Sequence, residues 1–120
     1  MTPARAEVEA LLPLPLATFH ILLALADEDR HGYAILQEVE RRTGGELRLS
    51  AGTLYRSIQR MLEDGLVVET RERPAPELDD ERRRYYRITA FGAAAARAEA
   101  RRLAMLVKLA RSVGFAPGRA

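Results

Sequence analysis

The sequence predicts a mainly α-helical domain with one small β-hairpin and a long terminal helix, and three observations carry that prediction. Apolar residues recur at helical spacing through the middle of the chain: Leu54, Ile58, Met61 and Leu62 fall at i, i+4, i+7 and i+8. Two short runs rich in strand formers, Leu66 to Arg73 and Arg84 to Thr89, flank a polar segment that carries Pro74 and Pro76. From Thr89 to Ser112 the chain is rich in alanine and free of proline, which suits one long helix.

Met1 to Pro15 reads as a partly ordered arm, because Pro13 and Pro15 break any continuation into the next element. Leu16 to Ala26 is apolar nearly all round and is expected as a buried central helix, ended by the acidic turn Asp27-Glu28-Asp29. A second helix is expected from about Gly32 to Thr43. Its Tyr33, Ile35, Leu36 and Val39 should face inward, and Gln37, Glu38, Arg41 and Arg42 outward. Gly44-Gly45 lets the chain turn sharply, and Glu46 to Leu49 alternates with period two, enough for a short strand. The next helix starts at Ser50, whose hydroxyl can accept a first-turn N–H, and stops at Gly65. Its apolar stripe leaves Arg56, Gln59, Arg60 and Glu63 outward, with Tyr55 on the flank. Tyr85 and Tyr86 alternate across their strand, so one should join the core and the other stay free for a partner. Two helices joined by a turn and followed by a β-hairpin make a winged helix-turn-helix. The expected divisions are an arm at 1–15, the winged helix-turn-helix at 16–89, a C-terminal dimerisation helix at 90–113 and a flexible tail at 114–120.

At 120 residues the chain is one domain with room for a modest core. Its net charge is +2, and arginine dominates the bases, Lys108 being the one lysine. Without cysteine there are no disulfides, thiolate metal sites or cysteine nucleophiles. His20 and His31 are isolated, so no metal and no cofactor is expected; His20, in an apolar helix, reads as a core or interface histidine. The longest apolar run, Ile21 to Ala26, is far below the roughly 20 residues of a membrane span. Charged residues at Arg5, Glu7 and Glu9 do not suit a secretory signal, so a cytoplasmic location with no membrane association is expected. No nucleophile–base pair or glycine-rich phosphate loop is visible, and an enzyme is the least supported class.

Basic and amide side chains along a rigid helix are what phosphate contact and base-edge readout in a major groove require. The plainer reading of such a face is simple solvation. A second basic feature beside it shifts the balance: Arg82, Arg83, Arg84 and Arg87 cluster on the hairpin, after Glu77, Asp79, Asp80 and Glu81. These charges could neutralise one another in exposed pairs worth roughly 0–1 kcal/mol each, or the arginines could reach phosphates or a minor groove. The His31-Gly32-Tyr33 start of the second helix could likewise meet a phosphate, since free N–H groups and the dipole favour an anion there. Leu103, Leu106, Val107, Ala110 and Val113 form an apolar seam on the last helix. A second copy would bury that seam, and a two-fold dimer would present two reading helices to a palindromic operator.

These residues resemble the PadR family of bacterial transcriptional regulators. The resemblance rests on His31-Gly32-Tyr33-Ala34-Ile35, on Leu49-Ser50-Ala51-Gly52-Thr53-Leu54-Tyr55-Arg56, on Glu63-Asp64-Gly65-Leu66, and on Arg83-Arg84-Tyr85-Tyr86-Arg87-Ile88-Thr89 with Gly92. It covers roughly Leu14 to Arg111 and implies a homodimeric DNA-binding repressor of the short form with a single C-terminal dimerisation helix. One departure is Ala51, where the family often has proline; alanine is also acceptable in a first turn. The resemblance implies DNA-binding roles for Tyr33, Ser50, Gly52, Thr53, Tyr55, Arg56, Gln59 and Arg60, and wing contacts for Arg82, Arg83 and Arg84. It also implies double-stranded DNA as partner and a small aromatic effector at the dimer interface. The rival readings are a winged-helix protein adaptor and a ligand sensor without DNA binding.

Overall fold

The computed structural model describes residues 5–71 and 83–115, and at its centre lies helix α2 (Leu16–Leu25). Ile21, Leu22, Ala24 and Leu25 of α2 are buried beneath helices α3 (Gly32–Arg42), α4 (Ala51–Glu63) and α5 (Ala90–Ser112). Burial is not all-round, as the apolar sequence had suggested. Leu16 and Leu23, seven residues apart and so on one side of the helix, are exposed.

The α3 frame departs from the expected one in an instructive way. Ile35 and Val39 point inward, but Tyr33 is 61% exposed and Glu38 is only 8% exposed. One residue of helix is a rotation of about 100°, so a small shift of frame exchanges a tyrosine for a glutamate. Burying Glu38 is tolerable because arginines surround it. Arg41 and Arg42 donate to its carboxylate and Arg30 stands 3.7 Å away. The Arg41 hydrogen bond, opposed by burial and helped by Arg42, brings the Glu38 pKa down to about 2. Arg30 and Arg42 also donate to the carbonyls of Ala24 and Leu23 at the end of α2, the second of which accepts from the Ala26 N–H as well.

After α3 the chain turns through Gly44 (φ 62°) and Gly45 (φ 83°), a conformation that favours glycine. The strand expected at Glu46–Leu49 is not formed. Leu47 and Leu49 do pack against the core, but the Leu47 N–H is taken by the Thr43 hydroxyl, and among the described residues no strand pairs with this segment. The edge of the sheet is filled by β1 (Arg30–His31) instead. β1 pairs antiparallel with β3 (Tyr85–Ile88), which pairs in turn with β2 (Val67–Thr70), giving the order β1-β3-β2. This central place of β3 explains why both Tyr85 and Tyr86 are buried, against the expectation of one free ring. Tyr86 joins the core, while Tyr85, opposite His31, receives that imidazole edge-on at 5.3 Å.

Thr89 caps α5 by accepting from the Gly92 N–H at 2.9 Å. A Cβ on Gly92 would lie 2.1 Å from the Leu66 carbonyl oxygen, so only glycine lets α5 leave the hairpin this closely. Ahead of α2, the arm contains a short helix, α1 (Arg5–Glu9), which lays Val8 against α5. Glu99 of α5 is buried and accepts from the Leu14 N–H at 3.1 Å and from Arg102. Among the described residues no helix is long and apolar enough to cross a membrane.

Candidate nucleic-acid interface

Ser50 accepts from the Thr53 N–H at 3.0 Å and so fixes the start of α4. Gly65 (φ 76°) ends it, with the Leu66 N–H returning to the Met61 carbonyl at 2.9 Å. Between these ends Leu54, Ile58 and Met61 are buried, which turns Gly52, Tyr55, Arg56, Gln59 and Arg60 outward and leaves Thr53 half-buried. Arg56 folds back toward the first turn, its Nη2 3.5 Å from the Thr53 hydroxyl. A Cβ at Gly52 would stand 3.1 Å from the Arg56 guanidinium, so glycine keeps the first turn low beneath that arginine. Gln59 has no hydrogen-bond partner among the described residues. Arg60 donates to Asp64 at 3.3 Å.

A groove of about 440 Å³ adjoins this face, where the starts of α3 and α4 meet the base of the hairpin. Its walls include Tyr33, Tyr55, Tyr86, Arg83 and Arg84. The Tyr55 ring reaches across to α3, and its hydroxyl lies so close to Gly32 that a Cβ there would be 2.3 Å away. His31 caps α3 by accepting from the Ala34 N–H at Nδ1, 3.2 Å, while its other ring nitrogen stands 3.1 Å from Arg83 Nη1. Arg84 lies 3.8 Å from Glu69 in an exposed pair. Burial, then the charge of Glu69, pushes the Tyr86 phenol pKa up, so the hydroxyl remains a donor at neutral pH. Two guanidinium groups and the positive end of the α3 dipole thus converge on a groove edged by phenols. Such a place attracts an anionic oxygen.

Of the residues singled out from the sequence, Tyr33, Ser50, Gly52, Thr53, Tyr55, Arg56, Gln59, Arg60, Arg83 and Arg84 belong to this continuous side of the molecule. Arg82 lies outside the described residues. Arg87, grouped with the hairpin arginines by sequence, is turned elsewhere: it grips Asp29 with two nitrogens, at 2.8 and 3.2 Å. His31 caps α3 and stands beside Arg83, a role the sequence reading gave it only as part of a helix start. Its position before Gly32 was the available signal. On α5 and at its C-cap, Leu103, Leu106, Val107 and Val113 are exposed and Ala110 is half-buried. Met105, Leu109 and Phe115, which the seam spacing passed over, are exposed as well.

The family model described as the Transcriptional regulator PadR-like family matches residues 21–98. A transcriptional regulator of Mycobacterium tuberculosis is 37% identical over 89 residues, covering 74% of this chain and 77% of that protein. An uncharacterised protein of Lysinibacillus sphaericus is 39% identical over 74 residues; the match covers 62% of this chain and 65% of that relative's length. Among solved structures, a PadR family transcription regulator from Clostridium difficile superposes with a TM-score of 0.68 at 23% identity, covering 82% of this chain and 98% of the other. Bacillus subtilis PadR in complex with operator DNA gives a TM-score of 0.58 at 16% identity, covering 72% and 47%.

Proposed function

The chain belongs to the PadR-like family of transcriptional regulators, and from that premise we propose that it acts as a homodimeric, sequence-specific DNA-binding repressor released by a small-molecule effector. One observation carries the DNA-binding part. The outward face of α4, with Gly52, Thr53, Tyr55, Arg56, Gln59 and Arg60, runs without a break into the groove edged by Tyr33, Arg83 and Arg84. In this reading α4 enters a major groove, where Arg56 and Gln59 have the donor and acceptor sets for base edges. The α3 start and the hairpin arginines hold the flanking backbone through its phosphates. The Bacillus subtilis neighbour, solved in complex with operator DNA, supports DNA as the partner.

The C-terminal part of α5 and the residues just after it support the dimer. From Leu103 to Phe115 the chain carries seven exposed large apolar side chains that the single subunit does not cover. A two-fold mate would bury Leu106, Val107 and Val113 and set two α4 helices about 34–36 Å apart, one turn of duplex. A small aromatic effector at that interface would release DNA by changing the spacing of the two helices. The chain is placed with its DNA in the cytoplasm and is assigned no catalytic role.

Selection of random duplexes on the purified chain, with sedimentation of the free protein, tests the proposal. A palindromic consensus with half-sites one turn apart, bound by a species of twice the chain mass, is expected. Absence of any enriched sequence would leave the adaptor reading in its place.

A further inference from the structure

A second crevice, of about 460 Å³, lies between the chain leading into α2 and the C-terminal end of α4. That size falls within the range of ordinary small-molecule sites. Leu11, Pro13 and Leu14 form one wall, Met61 and Leu66 the other. Three polar side chains, Thr18, Arg60 and Asp64, interrupt this apolar lining. Thr18 of α2 is 6% exposed, and among the described residues its hydroxyl has no hydrogen-bond partner. Leaving such a group without a partner costs free energy that a bound molecule would recover. At the rim, the Asp64 side chain is 29% exposed, and the largely exposed Arg60, which lines the crevice too, donates to it at 3.3 Å. Asp64 is also the C-cap of α4, so the negative end of that helix adds to its carboxylate. Both groups favour a cation, and a bound ammonium would take the carboxylate over from the exposed Arg60 guanidinium.

We propose that this crevice binds a small amphipathic amine, with its ammonium on Asp64, its apolar body between Leu14 and Met61, and a distal hydroxyl paired with Thr18. The lining comes from one chain and includes no residue of α5, so the site does not depend on dimerisation. Nor does it depend on the DNA-binding reading, because occupancy is measured without DNA.

The test is calorimetric titration of the full chain with three probes that share one ring: trans-4-aminocyclohexanol, cyclohexylamine and trans-4-hydroxycyclohexanecarboxylate. The amino alcohol should bind several-fold more tightly than cyclohexylamine and at least ten-fold more tightly than the carboxylate. Asp64→Asn should weaken the amino alcohol at least ten-fold. Thr18→Val should abolish the difference between the two amines while leaving the thermal midpoint at or above that of the parent, since it removes an unpartnered hydroxyl. This second variant keeps the test decisive if Asp64→Asn fails to fold. Equal binding of amine and carboxylate, indifference to both substitutions, or no binding of any probe would overturn the proposal.

Discussion

Arginine does two different things in this chain, and the two regions are told apart by what stands beside it. Around α2 and α3, Arg30, Arg41 and Arg42 converge on the nearly buried carboxylate of Glu38, with Asp27 taking a second nitrogen of Arg42. Asp29 grips Arg87 and Glu99 grips Arg102 in the same manner. On α4, by contrast, Arg56 has no acidic partner among the described residues, only a threonine hydroxyl at the limit of hydrogen bonding. The first group is engaged by the protein itself; Arg56 is left facing outward. Counting basic residues does not separate these cases, since both contribute equally to the net charge of +2. Pairing does.

The sharpest way to break that contrast is Glu38→Ala. Removing the shared carboxylate leaves Arg30, whose side chain is 14% exposed, with only the half-exposed carboxylates of Glu28 and Asp27, at 3.2 and 3.5 Å, to answer its charge. Loss of one partner from a buried pair typically costs 3–5 kcal/mol; with Arg41 and Arg42 free to swing into water, about 2–3 kcal/mol is expected here. Urea unfolding measures this, and the sequence preference of any folded protein should stay unchanged. The same carboxylate predicts an acid limb. Its folded pKa of about 2 lies below the ordinary value of 4.5, so its stabilisation is complete above pH 4.5 and fades as pH falls from there toward 2. Glu99, lowered by its Arg102 hydrogen bond, acts in the same direction. Glu38→Gln should therefore flatten the stability profile between pH 4.5 and 2. A variant with the parent's acid limb would show that Glu38 is not held by its arginines.

Arg56→Ala probes the other region. If Arg56 makes a bidentate base contact, its loss should weaken operator binding by about 1–3 kcal/mol and relax preference at one base pair of each half-site. Gln59→Ala should do the same at a neighbouring position. Both should leave the urea midpoint within about 0.5 kcal/mol of the parent, because neither side chain supports the core. A large stability loss with intact DNA preference would place Arg56 with the structural arginines and erase the distinction.

The architecture and the reading helix were legible because their signals are local. Ser50, Gly65 and the Leu54-Ile58-Met61 spacing fix the ends and the buried side of α4 from within its own residues. What sequence reasoning missed depends on partners far along the chain. Glu38 goes inside with Arg41 and Arg42 of its own helix donating to it, but Arg42 is also held by Asp27, fifteen residues earlier, and Arg30 closes the cluster at 3.7 Å. Arg87 leaves the hairpin cluster because Asp29 lies across the sheet edge from it. The same long-range pairing moved the third strand: Arg30–His31 reached β3, and Glu46–Leu49 found no neighbour despite its alternation. Tyr85 shows the rule in miniature, since its register with His31 on one side and Thr70 on the other explains why it is covered.

Arg83 lies between the two classes and gives the smallest expected effect. It borders the groove, yet one of its nitrogens stands 3.1 Å from the ring of His31, the residue that caps α3. As a phosphate contact it carries no base information. Arg83→Ala should then lower affinity by a similar several-fold factor at operator and random duplex alike. The slope of log affinity against log salt should become shallower by about 0.9, the value of one released counterion on B-form DNA. Arg56→Ala, by contrast, should act mainly on operator and little on random sequence. If Arg83→Ala instead changes the preferred sequence, the hairpin reads bases and the backbone role passes to the α3 start alone. If it leaves the salt slope untouched but lowers stability, Arg83 belongs with Arg87, as one more guanidinium that the fold has taken for itself.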